Sequence, residues 1–216
     1  MEGILFGIYI AAFMASVILH EIAHGRTADF FGDNTARLSG RLSFNPLVHI
    51  DPVGSILVPV VLMLSQSGFL FGWAKPVPVN AANLRGGAGA YRWVCLAGIL
   101  TNLILAVMAA LVLKLAIQFL GLGDNNLGIL FFYALLQVNI VLAVFNLMPL
   151  PGFDGFNFFM TFKPVFIFVS RTPLGNPMFM ARWGLLASIL LVFLFSSYIG
   201  WIITYIFAVF LSLFGL

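Results

Sequence analysis

The chain alternates long apolar stretches with short loops that are rich in glycine, proline and charge. Four apolar stretches stand out, at residues 3–19, 93–120, 128–148 and 183–214. Each is long enough, or nearly so, to cross a hydrocarbon core of roughly 30 Å as an α-helix. This pattern predicts an all-α polytopic membrane protein.

The region between the first two stretches has a different pattern. Helix 1 is predicted over residues 3–30 and a second long helix over residues 91–120. Between them, residues 37–44 alternate polar and apolar positions as a short strand does, and residues 72–80 contain too much proline for a helix. We therefore predict a short membrane-associated β-hairpin or strand region. Non-helical backbone survives at membrane depth only inside protein or beside a wet cavity, so this region should adjoin a water-accessible site.

A third apolar region, residues 128–165, is predicted to lie antiparallel to the 91–120 helix, because a turn sequence at residues 121–126 joins the two. This region is interrupted at residues 146–155, where two prolines and two glycines must break the helix. The break frees backbone polar groups at membrane depth.

Two segments leave the number of transmembrane helices at five to six. Residues 53–71 are apolar but include Pro59 and Gly68, and they form either a re-entrant or a fully spanning segment. Residues 183–214 exceed one membrane thickness and hold either one tilted helix or two helices joined near residues 198–200. No long polar stretch is left for a soluble domain, so residues 1–216 are predicted to form a single domain.

Composition supports lipid as the solvent and as a partner of this chain. Hydrophobic residues make up 62% of it and charged residues 8%, with a mean hydropathy of +1.10, whereas soluble domains are about 25% charged. The net charge of +3 comes from basic residues scattered through loops, which are ordinary orientation signals, so nucleic-acid binding has no support. The single cysteine, Cys95, excludes a disulfide framework and a cysteine-rich metal site.

A cluster of ionisable residues near the end of helix 1 carries the candidate chemistry. His20 and His24 are four residues apart, so on a helix both imidazoles project from one face and can bind one metal, with Glu21 beside them. This H-E-x-x-H pattern is a zinc-protease signature. Ionisable groups at membrane depth cost several kcal/mol and are functional by default, so we favour a zinc site over a structural polar cluster.

A catalytic zinc site normally has three protein ligands and one open position, so a third ligand is needed. Apart from Glu2 and Glu21, only Asp154 among the acidic residues follows directly on a long apolar run, and it lies at a helix break. Asp154 is therefore the predicted third ligand, with a turn or N-cap aspartate as the alternative. For the remaining histidine, His49, we expect a hydrogen bond within its loop.

Together these motifs resemble the site-2 protease family of intramembrane zinc metalloproteases. The resemblance rests on the His20–His24 motif, on residues 72–80, and on residues 146–155, which match the family pattern N-x-x-P-x-P-x-x-D-G. It implies that Asp154 is the third zinc ligand and that Asn146 helps to bind the oxyanion. Two departures are visible: Phe153 replaces a frequent leucine, and residues 97–102 lack a proline found in relatives.

The resemblance also implies an activity, a cofactor and a location. One Zn²⁺ per chain would serve peptide hydrolysis in transmembrane protein substrates, with Glu21 activating the attacking water. Asn146 and Asn102 could donate to the oxyanion or instead be helix-packing residues. Residues 73–80 could hold an extended substrate by adding a strand. We expect a compact prokaryotic-type member in the inner membrane; substrate identity and oligomeric state stay open.

A second class of function remains compatible with the same residues. A membrane transporter could use the His/Glu/Asp cluster as a proton or metal pathway, without proteolysis. Such a transporter would show vectorial flux. Against this hypothesis, the sequence shows no inverted repeat of the broken-helix motif.

Overall fold

The computed structural model describes residues 2–64, 72–123 and 125–216, and no strand occurs among them. The first half contains α1 (Glu2–Phe30), α2 (Thr35–Leu38), α3 (Val58–Leu64) and α4 (Gly87–Leu120). The second half contains α5 (Leu127–Leu147), α6 (Asp154–Met160), α7 (Lys163–Ser170), α8 (Pro177–Phe179), α9 (Leu185–Leu194) and α10 (Ser196–Phe214).

Five helical segments of the described chain are long and apolar enough to cross a membrane. They are α1, α4, α5, the run from α8 through α9 (Pro177–Leu194), and α10. The chain is thus an all-helical membrane protein with five candidate spans, and this part of the sequence prediction is confirmed.

Helices α1, α4 and α5 pack together as the centre of the protein. On α4, three alanines that are completely buried let the neighbouring helices approach closely: Ala106, Ala109 and Ala110. Between α1 and α5, the amide Nδ2 of Asn139 donates to Ser16 Oγ at 2.8 Å, and both side chains are fully buried. Small residues and interhelical hydrogen bonds stabilise helix pairs where lipid offers no hydrophobic driving force.

The predicted β-region is wrong for residues 72–80, which are extended without pairing in a sheet. The Trp73 N–H donates to Gly54 O at 3.1 Å, and the Lys75 N–H donates to His49 O at 2.9 Å. Pro76 and Pro78 have no N–H to donate. The Val77 and Asn80 N–H groups donate to side chains, and no ladder forms among the described residues. We call residues 72–80 the proline segment.

The predicted strand over residues 37–44 is also wrong. Helix α2 continues to Leu38, and Gly40 then turns the chain with a φ of +66°. The Arg41 N–H donates back to Ala36 O at 3.0 Å. The alternation of polar and apolar residues here belongs to a helix end and a turn, in which Ala36 and Arg41 are buried and residues 37–40 are exposed.

The helix break over residues 146–155 occurs as predicted. Helix α5 ends at Leu147 and α6 begins at Asp154. A Cβ on Gly155 would lie 2.3 Å from Leu147 O, so only glycine allows α6 to start this close to the end of α5. The break therefore returns the chain sharply and places Asp154 at the end of the central helices.

The last apolar stretch contains two helices, but they meet at Phe195 and not at residues 198–200. Phe195, with a φ of −101° and a ψ of 13°, separates α9 from α10, although hydrogen bonds from Phe195 N to Leu191 O and from Ile199 N to Phe195 O adjoin the junction. For the earlier stretch over residues 53–71, residues 65–71 lie outside the described part of the chain. The choice between re-entrant and spanning therefore stays a prediction.

Candidate metal centre

The structure brings together the three residues predicted as metal ligands. His20 and His24 project from one face of α1, and Asp154 is the first residue of α6. The Nε2 atoms of the two histidines are 3.0 Å apart, and Asp154 Oδ2 lies 3.1 Å from His20 Nε2 and 3.0 Å from His24 Nε2. Both histidines are buried. Residues about 130 positions apart therefore converge at one point.

The other ring nitrogen of each histidine is held by α4. His24 Nδ1 lies 2.7 Å from Val94 O, and His20 Nδ1 lies 2.9 Å from Asn102 Oδ1. A carbonyl oxygen only accepts hydrogen bonds, so each Nδ1 carries the proton. Each Nε2 is then left with a lone pair that faces Asp154. Hydrogen bonds of this kind fix the orientation and tautomer of histidines that bind metals.

The donor set and its spacing fit a zinc ion. Two imidazole nitrogens and a carboxylate oxygen lie within 3.1 Å of one another at a buried point, an arrangement that a cation bound among them satisfies. Zinc binds such N and O ligands at about 2.0–2.2 Å, and a tetrahedral arrangement separates its ligand atoms by roughly 3.3 Å. The observed separations of 3.0–3.1 Å need only a small expansion.

Gly98 of α4 forms the wall against which the two imidazoles lie. A Cβ at this position would be 2.4 Å from His20 Cε1 and 2.5 Å from His24 Nε2. No side chain fits there without displacing a ring. Gly98 lies one helical turn before Asn102, so the same face of α4 leaves space for the rings and holds one of them.

Glu21 is half-buried and adjoins the cluster through its position on α1. Its Oε2 accepts a hydrogen bond of 2.7 Å from the Val77 N–H of the proline segment. The predicted general base is therefore held through Oε2 by main chain from a segment about 55 residues away.

Helix α6, which carries Asp154, is fixed at its other end by Arg92 of α4. Arg92 Nε donates to Thr161 Oγ1 at 2.8 Å, and Nη2 donates to Thr161 O at 3.2 Å. The guanidinium also lies over the Phe162 ring, 4.4 Å from its centroid. A cation at a helix C-terminus satisfies the last carbonyls and the helix dipole. Arg92 thus holds the short helix that presents the third ligand.

The other predicted residues lie around this centre without joining the ligand set. The Asn146 amide donates to Leu142 O at 3.0 Å within α5. Asn102 is fully buried, and its Nδ2 has no partner among the described residues. His49 donates from Nε2 to Ser43 O at 2.8 Å, which is the loop hydrogen bond expected for it.

A buried carboxylate, that of Asp33, holds together the polar loops that follow α1 and precede α4. Asp33 is fully buried and accepts hydrogen bonds from Thr35, from the Asn80 N–H at 2.6 Å, and from Asn83 Nδ2 at 3.0 Å. Burial alone would raise the pKa of Asp33, but these hydrogen bonds outweigh it and hold the pKa below its usual value. Asp33 therefore ties the end of α1 and the start of α2 to the proline segment.

The roles of Gly98, Arg92 and Asp33, and the bond from Asn102 to His20, were not assigned from the sequence. Gly98 and Asn102 lie four positions apart, so their common face on a helix was visible, but the partner of that face was not. Arg92 lies at the start of the predicted 91–120 helix and Asp33 lies in a loop, and both look like ordinary charged residues in the sequence. Only the fold shows that both are directed into the protein.

A buried group of two histidines and an aspartate lies at the end of a bundle of apolar helices, which is the arrangement expected of a membrane metalloprotein. Sequence comparison gives the family. The chain is 36% identical over 183 residues to the Bacillus subtilis protein named "Putative zinc metalloprotease YwhC". The aligned region covers 76% of this chain and 80% of the relative. The chain therefore belongs to the YwhC family of zinc metalloproteases.

Two mycobacterial relatives are also similar. "Putative zinc metalloprotease Rip2" of Mycolicibacterium smegmatis is 36% identical over 155 residues, covering 70% of this chain and 56% of the relative. The protein of the same name in Mycobacterium tuberculosis is 29% identical over 158 residues, with the same coverage. No family model and no solved structure matches the chain.

Proposed function

We propose that this chain is an intramembrane zinc metalloprotease of the site-2 type, which hydrolyses peptide bonds within or near transmembrane segments. The observation that carries the proposal is the convergence of two histidines and Asp154, with Glu21 beside them, at the end of apolar helices α1, α4 and α5. The family of zinc metalloproteases to which the chain belongs supports the same chemistry.

In the proposed reaction, His20, His24 and Asp154 hold the zinc ion. When bound, zinc would supply Lewis-acid polarisation of the peptide carbonyl and would make water a stronger nucleophile near neutral pH. The hydrogen bonds from the two Nδ1 atoms to Val94 and Asn102 keep both Nε2 lone pairs directed at one point. The chain thereby preorganises the site before substrate arrives.

Glu21 is the proposed general base. Its Oε1 takes a proton from the attacking water and returns it to the leaving amine, while Oε2 stays bonded to Val77. For the oxyanion we propose Asn146 at the end of α5 as a donor. Asn102 is a second candidate, because its Nδ2 is available while Oδ1 orients His20.

The proposed substrate class follows from where the centre lies. A peptide bond that reaches residues buried among spanning helices belongs to a segment that itself lies in lipid. Such a segment must unwind locally, because a helix uses its carbonyls in its own hydrogen bonds. Nine of the ten basic residues lie in residues 26–92 and 163–182, next to the ends of the helices that form the centre. We therefore propose that this end faces the cytoplasm at the inner membrane of a prokaryotic cell.

The decisive experiment compares two Glu→Gln variants in α1. The protein is purified in detergent, zinc per chain is measured, and cleavage of model transmembrane substrates is followed for wild type, Glu21→Gln and Glu2→Gln. We expect Glu21→Gln to retain zinc and lose cleavage by about 10³-fold or more, whereas Glu2→Gln, exposed at the other end of α1, behaves as wild type.

Two outcomes would contradict the proposal. Cleavage that survives in Glu21→Gln removes the general-base assignment. A wild-type protein that cleaves none of the substrates but moves protons or metal ions across proteoliposome membranes is a transporter.

A further inference from the structure

The proline segment contacts the proposed base through a main-chain N–H. Val77 donates its N–H to Glu21 Oε2 at 2.7 Å. Its neighbours Pro76 and Pro78 have no N–H, so the sequence leaves this donor isolated between two residues that cannot replace it. A shift of the proline segment by one residue would leave Glu21 facing a proline.

The seat of Val77 on α1 is Gly25, one helical turn after Glu21. A Cβ on Gly25 would lie 3.0 Å from Val77 Cγ1, 3.0 Å from Ala36 Cβ and 2.5 Å from Leu42 Cδ2. Any side chain at this position would push these groups outwards. The absence of a side chain on Gly25 is therefore what lets the proline segment lie close enough to reach Glu21.

The proline segment is anchored on both sides of Val77. Before it, Arg41 Nη2 donates to Lys75 O at 2.6 Å. After it, the Asn80 N–H donates to the buried Asp33 carboxylate at 2.6 Å. Because these two hydrogen bonds fix the proline segment before and after Val77, the distance from Val77 to α1 depends on the packing of Val77 against Gly25.

We propose that Gly25 and the Val77 N–H are positioning groups for Glu21. Gly25 seats Val77 against α1, and the Val77 N–H holds the Glu21 carboxylate in one rotamer so that Oε1 is directed to the attacking water. This inference rests on the proposed function, in which Glu21 is the base. A glutamate left without this bond would sample several rotamers, and misplacing a reacting group by about 1 Å can cost about 10²-fold in rate.

The test compares Gly25→Ala with Gly7→Ala, the same substitution in the same helix. Around Gly7 a Cβ would meet nothing within 4 Å. Alanine favours a helix interior over glycine by about 1 kcal/mol, so neither change weakens α1 itself. We expect Gly25→Ala to lower kcat by about 10–100-fold with unchanged KM and zinc affinity, and Gly7→Ala to match wild type.

A second variant removes the donor without adding an atom near α1. Replacing Val77 by its α-hydroxy acid analogue turns the amide into an ester, in which an oxygen atom takes the place of the N–H. We expect the same loss of kcat, again with zinc retained. This variant decides the outcome if Gly25→Ala fails to fold.

The outcomes separate the inference from the proposed function. If Glu21→Gln abolishes cleavage while the Val77 ester keeps the wild-type kcat, the positioning role is wrong and the proposed function stands. If Gly25→Ala loses zinc affinity in parallel with kcat, the glycine acts on the neighbouring His24, which also overturns the inference. If Glu21→Gln still cleaves, the proposed function itself fails.

Discussion

The metal end of the central bundle and the C-terminal helix α10 are built from similar apolar sequence, yet they use it differently. The metal end buries polar side chains, among them His20, His24 and Asn102, and gives each a defined partner. Helix α10 has no buried residue and packs one aromatic face on α4 and α5. Crossing lipid requires only apolar side chains, whereas holding ionisable groups at that depth requires close packing that excludes lipid.

Glycine shows the same contrast at single positions. Around Gly98 on α4, the space for a Cβ is already occupied by two histidine rings. Around Gly200 on α10, a Cβ would meet nothing within 4 Å. One glycine is thus required by the chemistry of the site, and the other is tolerated in a helix that faces lipid.

The largest predicted effect comes from exchanging these two glycines for alanine. Gly98→Ala must displace His20 or His24, so we expect zinc affinity to fall by at least about 100-fold, together with cleavage. Gly200→Ala should leave both unchanged. Chelator competition measures the affinity, and cobalt substitution reports the coordination geometry by its visible absorption. Equal zinc affinities in the two variants would show that the rings do not depend on the wall formed by Gly98.

The next prediction concerns the polar loops held together by Asp33. Asp33→Asn removes the charge that four hydrogen bonds stabilise, and we expect a loss of about 2 kcal/mol in unfolding free energy at neutral pH. Asp29→Asn is the control, because Asp29 only pairs with Arg37 at 3.5 Å near the surface, where a pair contributes about 0–1 kcal/mol.

The same variant predicts the pH dependence of stability. The pKa of Asp33 is lower in the folded protein than in the unfolded chain, where it is about 3.9. Its stabilisation is therefore complete above that value and is lost as the pH falls below it towards the folded pKa. Denaturant unfolding between pH 3 and pH 7 should show a larger loss of stability in wild type than in Asp33→Asn. Parallel curves would rule out this role of the carboxylate.

A smaller effect is expected where Arg92 of α4 contacts the C-terminal end of α6. Arg92→Gln removes the cation that holds Thr161 and Phe162, so α6 presents Asp154 less rigidly, and we expect zinc affinity to fall by about tenfold. Arg182→Gln, an exposed arginine at the start of the C-terminal helices, should have no effect.

A double-mutant cycle checks the route by which Arg92 acts. In an Asp154→Ala background, Arg92→Gln should change zinc affinity no further, because the ligand that it positions is gone. Additive losses would mean that Arg92 acts on the bundle as a whole.

Much of the architecture could be predicted because a membrane-spanning helix needs an apolar stretch of about 20 residues, which is visible in the sequence. Helix 1 was predicted over residues 3–30 and occupies Glu2–Phe30, and the break before Asp154 was marked by its prolines and glycines. The ligand set followed from the scarcity of ionisable residues. With only seven acidic residues, Asp154 could be selected by its position alone.

The parts that could not be predicted depend on partners far away in the chain. Proline excluded a helix over the proline segment, but strand and irregular backbone differ only in where the N–H groups donate. The Val77 N–H donates to Glu21, and the Asn80 N–H donates to Asp33. Neither partner can be found from local pattern, since both side chains are reached only after α1 and the loops have packed.

The smallest predicted effect lies where the C-terminal helices, through α9, contact the loop before Asp154. Ser188 of α9 is buried and donates from Oγ to Pro151 O at 2.7 Å, three residues before Asp154. Hydrogen bonds between membrane helices contribute on average about 0.6 kcal/mol, so Ser188→Ala should lower stability by about that much and change zinc affinity less than twofold. Ser197→Ala, exposed on α10, is the control and should change neither. If Ser188→Ala instead lowers zinc affinity as far as Arg92→Gln does, the C-terminal helices belong to the support of the metal centre, and the division drawn between the two regions is wrong.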